Sequence, residues 1–227
     1  MDTRPFARYA IRETMGLAVM GAALFWSAGE IDWWPAWASL GVMLGWIAAT
    51  AVVIFRFNPG LLAERLGPRK GAKAWDTAIM SMLGVAQLAR YIIAGLDHRY
   101  GWSGSLPLGA QLAALAVCIL GYALVVWATA SNTFFSQIVR IQSERGHAVA
   151  TGGPYRYVRH PAYFGAILYE LAVSILLASW WSLLVSAGDV ILLIFRTALE
   201  DRTLRAELNG YTGYVSSVRH RLLPGVW

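Results

Sequence analysis

The sequence predicts an all-α integral membrane protein of about six transmembrane helices. The last two form a C-terminal helical hairpin, and a polar loop and C-terminal segment lie on the cytoplasmic side. Three observations carry this prediction. First, the 227 residues are 57% hydrophobic and only 14% charged, with a mean hydropathy of +0.49, far too apolar for an ordinary soluble globule. Second, apolar runs recur at about 14–29, 36–55, 77–96, 107–130, 161–179 and 181–195, several near the ~20 residues that cross a hydrocarbon core. Third, six spans with both termini cytoplasmic put 17 of the 19 basic residues on one face, as positively charged loops require. Only Arg90, inside a run, and Arg99, on the far side, depart from it.

Each element follows in order. Arg4, Arg8 and Arg12 precede the first run, which reads as an anchor, since cleavage as a signal would spoil the even number of spans. Gly41 and Gly45 in the second run form a small-xxx-small pattern, a candidate helix contact or homo-oligomer seam. NPGLLAERLGPRKGAKAW (58–75) reads as a short interfacial helix with a basic face toward headgroups, or as a solvated connector. The far-side connections are short and carry Trp33, Trp34, Trp37, Trp102, Trp180 and Trp181, an interfacial aromatic belt. Only Ser179, Trp180 and Trp181 separate the fifth and sixth runs, which predicts a tight hairpin rather than one long element. Cys118, the single cysteine, reads as a small buried apolar residue.

The chain reads as one domain, 1–227, with four spans over 1–130 as scaffold or substrate groove and a polar half over 131–227. The charge of +6 records topology and favours anionic membrane lipids as partners rather than nucleic acid. No metal site is expected, because the four histidines are scattered and one cysteine builds no thiolate cage. Asn132 and Gln137 close the fourth run, Glu170 lies mid-fifth, Asp189 and Arg196 lie in or at the end of the sixth, and Glu200 and Asp201 follow. Ionisable groups inside spans cost roughly 2.5–3.5 kcal/mol on insertion scales. Glu170 and Asp189 are therefore either functional or an internal ion pair. Arg196 and Glu200, four apart, share a helix face and could pair there.

TGGPYRYVRHPAY (151–163) combines a glycine turn open to a ligand, the aromatic faces of Tyr155, Tyr157 and Tyr163, and donors on Arg156, Arg159 and His160. Pro161 suits the first turn of the next helix. Such a loop at a helix N-terminus suits an anionic group, whether in a small molecule or a lipid headgroup.

HAVATGGPYRYVRHPAYFG (147–165) and RTALEDRTLRAELNGYTGYVSSVRHRLLPGVW (196–227) together resemble the isoprenylcysteine carboxyl methyltransferase family and its phospholipid-methyltransferase relatives. The shared pattern is GPY-x-x-x-RHP-x-Y, an arginine four residues before an acidic pair, and G-Y-x-x-Y, over residues 130–227. The resemblance implies transfer of a methyl group from S-adenosyl-L-methionine at the cytoplasmic membrane face. It implies that His147, Ala148, Val149, Ala150, Tyr155, His160, Pro161, Ala162, Tyr163 and Glu200 hold the cofactor. Arg196 would face the substrate or reacting centre, and Asn132, at the end of the fourth run, is a second candidate substrate contact. Asp201 stands where the family usually has a second glutamate. A carboxylate acceptor needs only Arg196 to orient it, whereas an amine or thiol needs a base, for which Glu170, Asp189 and His160 are candidates. The expected activity is methylation of a lipophilic carboxylate of isoprenylcysteine type. Phospholipid-amine N-methylation, thiol S-methylation, an NADPH-dependent sterol-type reductase and a non-catalytic lipid-binding protein are the alternatives.

Overall fold

The computed structural model describes residues 4–66 and 71–227, so Arg69 and Lys70 of the basic 58–75 segment lie outside the described residues. Among the described residues the chain is helical, without strands. The helices are α1 (Arg4–Ala28), α2 (Trp34–Val52), α3 (Gly60–Leu66), α4 (Ala74–Tyr100), α5 (Leu108–Ala130), α6 (Pro161–Leu176), α7 (Trp180–Glu207) and α8 (Tyr211–Ser217).

All six apolar runs are helical, but their lengths differ from the expectation. Among the described residues, four helices are long and apolar enough to cross a membrane: α2 with its π-helical extension to Phe57, α4, α5 and α7. Helix α6 has 16 residues, about 24 Å at 1.5 Å per residue, which is short of a full span. Helix α1 begins at Arg4, so Arg8 and Arg12 belong to it rather than to a preceding loop. Large apolar side chains such as Val85 and Leu184 face outward, 72% and 66% exposed, as expected of helices solvated by lipid.

Local chemistry explains the boundaries. Helix α2 opens on Trp34–Pro35, where a missing N–H is harmless. Helix α4 ends at Gly101 in the left-handed region, φ +65°, a common helix stop. The hairpin turn is Leu177–Ala178–Ser179, and the Ser179 hydroxyl accepts from the Ser182 N–H at 3.0 Å to start α7. Asp97, at the same end of the bundle, accepts from the Ser103 N–H at 2.7 Å and from the Ser103 and Ser179 hydroxyls at 2.5 Å. The α4 end is thereby tied to the hairpin.

The core forms where α1, α2, α4, α5 and α6 meet, around Leu24, Tyr91, Ala94, Cys118, Tyr169 and Val173. Cys118 is fully buried there, as its surroundings predict. The glycines that bring helices together are Gly121 of α5 and Gly165 of α6: a Cβ on Gly121 would lie 2.6 Å from the Gly165 carbonyl oxygen. Gly41 and Gly45 face open space, so they make no close helix contact among the described residues. Two other expectations need correction. Trp33 is buried and stacked on His98 with centroids 4.5 Å apart, whereas Trp34, Trp37, Trp102, Trp180 and Trp181 are exposed. Helix α3 does form in the 58–75 segment, but Arg65 is buried and turned toward the bundle. The Arg65 carbonyl accepts from Arg12 at 2.7 Å.

Candidate active site

After α5 the chain runs from 131 to 160 with only two short 3-10 turns, Ser143–Arg145 and Gly153–Arg156. It stays in place because its backbone is pinned to the bundle. The Val139 N–H donates to Asp76 Oδ2 at 2.8 Å, and the Gln137 carbonyl accepts from Arg196 Nη2 at 2.8 Å. Gly153 has φ +55°, and a side chain there would strike Ser131, so the turn needs glycine. Tyr155 is buried beneath it: its hydroxyl accepts from the Asn132 amide at 3.4 Å, and its carbonyl accepts from the Tyr214 hydroxyl at 2.7 Å. Burial pushes the Tyr155 hydroxyl well above its ordinary range, so it remains protonated.

The loop then meets the C-terminal segment. The Arg159 and His160 N–H groups donate to the carbonyls of His220 and Arg221 at 3.0 and 2.9 Å. Buried Asp201 binds the two segments together, receiving Arg159 Nε at 2.7 Å and the Tyr211 hydroxyl at 3.0 Å, with His160 Nε2 at 3.4 Å. The G-Y-x-x-Y pattern thus acquires a physical role. Tyr211 holds Asp201 and Tyr214 holds Tyr155.

Arg196 and Glu200 lie on one face of α7, as their spacing predicts, but their direct partners are other residues. Arg196 Nε donates to Asp76 Oδ1 at 2.7 Å, and its guanidinium lies 5.2 Å over the Tyr163 ring. Glu200 accepts from the Tyr163 hydroxyl. Sequence reasoning missed Asp76, because an acid in the first turn of a helix reads as a favourable dipole partner. In the fold it is fully buried and anchors both Arg196 and the 131–140 segment.

These side chains surround one cavity of about 430 Å³. Asn132, His147, Ala148, Val149, Ala150, Tyr155, His160, Ala162, Tyr163, Glu170, Arg196 and Glu200 all line it. Pro161 instead starts α6 and is not part of the wall. Arg156 and Tyr157 are exposed and do not reach it. Trp46, Met80, Leu83, Tyr122, Val125 and Leu193 extend the wall along α2, α4, α5 and α7, giving the cavity a polar end and an apolar arm. His147 stacks on Phe134 at 4.7 Å and accepts the Gln142 N–H at Nδ1, 3.2 Å. Burial, with Arg140 and Arg145 nearby, holds His147 below its ordinary value, so its proton sits on Nε2.

Glu170 and Asp189 both face one buried arginine, an arrangement that agrees with the internal-ion-pair reading. Arg90 is fully buried, forms an ion pair with Glu170 and lies 3.5 Å from Asp189. Glu170 also reaches the cavity wall, whereas Asp189 does not.

Residues 113–206, from α5 almost to the end of α7, match the family model of the isoprenylcysteine carboxyl methyltransferase (ICMT) family. Probable protein-S-isoprenylcysteine O-methyltransferases of Oryza sativa subsp. indica and subsp. japonica are each 27% identical to the chain over 141 residues, covering 59% of it and 71% of the relative. The solved structure of a eukaryotic intramembrane Ras methyltransferase, ICMT, superposes with a TM-score of 0.64 at 16% identity, covering 94% of this chain and 75% of that one. The fold is shared over nearly the whole molecule, and the sequence match falls on the half that builds the cavity. The chain is thus similar to the isoprenylcysteine carboxyl methyltransferase family in sequence over residues 113–206 and shares the fold of a solved member.

Proposed function

We propose that the chain is a membrane methyltransferase that uses S-adenosyl-L-methionine to methylate a lipophilic carboxylate of isoprenylcysteine type at the cytoplasmic face. One observation carries this reading: a single cavity joins the polar groups of the 147–163 loop and α7 to an apolar arm within the bundle. The polar end suits the methyl donor. Glu200 offers a carboxylate to its ammonium, His147 Nε2 and Asn132 offer polar hydrogen-bonding groups, and Ala148, Val149, Ala150 and Ala162 leave room for a flat heterocycle beside Tyr155. When bound, it supplies a methyl group already activated by the adjoining sulfonium.

The protein's task is therefore alignment and exclusion of water. Arg196, steadied by Asp76 and the Gln137 carbonyl, orients the acceptor carboxylate with its remaining N–H groups. The apolar arm takes the lipophilic tail. The residues weighed as bases for an amine or thiol are engaged elsewhere: Glu170 and Asp189 with Arg90, and His160 with Asp201 and Tyr211. A carboxylate, ionised at neutral pH, needs no base. The placement of loop and termini on the cytoplasmic side rests on the asymmetry of basic residues. The relatives named above are named as O-methyltransferases, which supports the same chemistry.

Equilibrium binding in detergent tests the proposal. S-adenosyl-L-methionine should bind wild-type protein and lose at least tenfold in affinity in Glu200→Ala, since a charge-assisted hydrogen bond is worth roughly 1.5–3 kcal/mol. Methyl label transferred to a lipid extract should be released by base, as an ester is. Absence of binding in every membrane mimic, or binding of NADPH instead, would overturn the reading.

A further inference from the structure

Behind the cavity, Asp201 is surrounded by more positive charge than it balances. The Nε atoms of Arg159, Arg205 and Arg221 lie 2.7, 3.0 and 3.1 Å from its oxygens, and the carboxylate is fully buried. Three guanidiniums on one carboxylate leave an excess of two positive charges.

The three arginines are used differently. Arg159 is buried and committed, with Nη1 donating to the Val218 and Arg219 carbonyls at 2.7 and 2.6 Å and Nη2 to Asp201 at 3.3 Å. Arg205 and Arg221 each give Asp201 only Nε, and both give it to the same oxygen, Oδ2. Both guanidiniums therefore converge on one oxygen, and their Nη groups hydrogen-bond to no described residue. Arg221 is held in this pose by the Trp227 ring, 4.7 Å below it. With Arg219 and His220 these groups line a cleft of about 290 Å³. Like charges packed this closely repel, and a bound anion relieves the repulsion.

We propose that this cleft binds a phosphate monoester group. A dianion matches the two charges that Asp201 leaves unbalanced, with Arg219 a further cation in the lining, and tetrahedral oxygens can be served by paired N–H forks arriving from different sides, which guanidinium provides and ammonium does not. A membrane lipid headgroup and free phosphate present the same chemistry. Neither the methyl donor nor the acceptor enters this argument, so it stands or falls apart from the proposed activity. Asp201 also holds His160, so cleft and cavity share one carboxylate.

The test uses the purified full chain in neutral detergent. The thermal midpoint is followed against inorganic phosphate and against chloride at matched ionic strength. A second arm measures the midpoint in nanodiscs of phosphatidylcholine with and without phosphatidic acid. A saturable rise with phosphate, absent with chloride, is expected, and Arg219→Gln should weaken it roughly tenfold. Arg219 makes no side-chain bond to Asp201, so this variant keeps the fold. Arg205→Gln should abolish the response, and if it fails to fold, Arg219→Gln carries the result. A response to phosphatidic acid alone, weakened in Arg219→Gln, would also support the site and identify its ligand as a headgroup. No saturable response in either arm, or one unchanged in the variants, would overturn the proposal.

Discussion

Arg90 and Arg196 are both buried beside carboxylates, and their surroundings differ in a way that separates architecture from chemistry. Arg90, on α4, is fully buried with two carboxylates, Glu170 and Asp189, and also meets the Ser186 and Tyr91 hydroxyls at 3.4 Å. Arg196, on α7, has one carboxylate, Asp76, and one carbonyl, Gln137, and lines the cavity. Arg90 joins α4, α6 and α7 from within. Arg196 is anchored on one side and presented on the other. A buried charge that faces two carboxylates on neighbouring helices makes contacts between those helices, and a buried charge with donors left over at a cavity wall is placed to meet a ligand.

The largest expected effect tests the second half of that contrast. Arg196→Lys keeps a positive charge beside Asp76 but loses the planar fork that orients a carboxylate. Turnover of a lipophilic carboxylate should fall about 100-fold or more, while S-adenosyl-L-methionine affinity and the thermal midpoint stay close to wild type. If cofactor binding is lost with the fold intact, Arg196 belongs to the cofactor site instead.

Next comes Arg90. Arg90→Ala strands two carboxylates inside the bundle, and breaking a buried pair from one side costs about 3–5 kcal/mol. A large drop in thermal midpoint is expected. Replacing all three residues together, Arg90→Met with Glu170→Gln and Asp189→Asn, should recover most of it. A triple variant as unstable as the single one would show that Arg90 acts through contacts other than the carboxylates.

The smallest effect is expected of Glu170→Gln, which removes one of two negative charges around a single arginine and leaves the cavity wall nearly unchanged in shape. Turnover should stay within about threefold of wild type. Loss of a general base typically costs about 100-fold or more, so a fall of that size would give Glu170 a part in the chemistry and move the acceptor toward an amine or thiol.

Much of this was legible in the sequence. The six apolar runs are helices, the hairpin turn falls between the fifth and sixth, and the loop residues and α7 face form one wall. The errors share a cause. Gly41 and Gly45 matched a packing pattern, but contact depends on what stands opposite, and the close crossing falls at Gly121 and Gly165. The i,i+4 spacing of Arg196 and Glu200 correctly put them on one face, but each found a nearer partner on another helix. Asp76 could not be found from its own neighbourhood, since its two partners lie 63 and 120 residues away along the chain.

The sequence by itself determined the class of molecule and which side chains are available to a site. Hydropathy, helix-stop residues and local motifs are properties of adjacent residues, and lipid solvation makes helices the economical way to satisfy the backbone. Only the tertiary structure decided which charges neutralise one another and which remain to act. That outcome depends on distances between α4, α6, α7 and the C-terminal segment, and electrostatic energy depends on separation in space rather than along the chain.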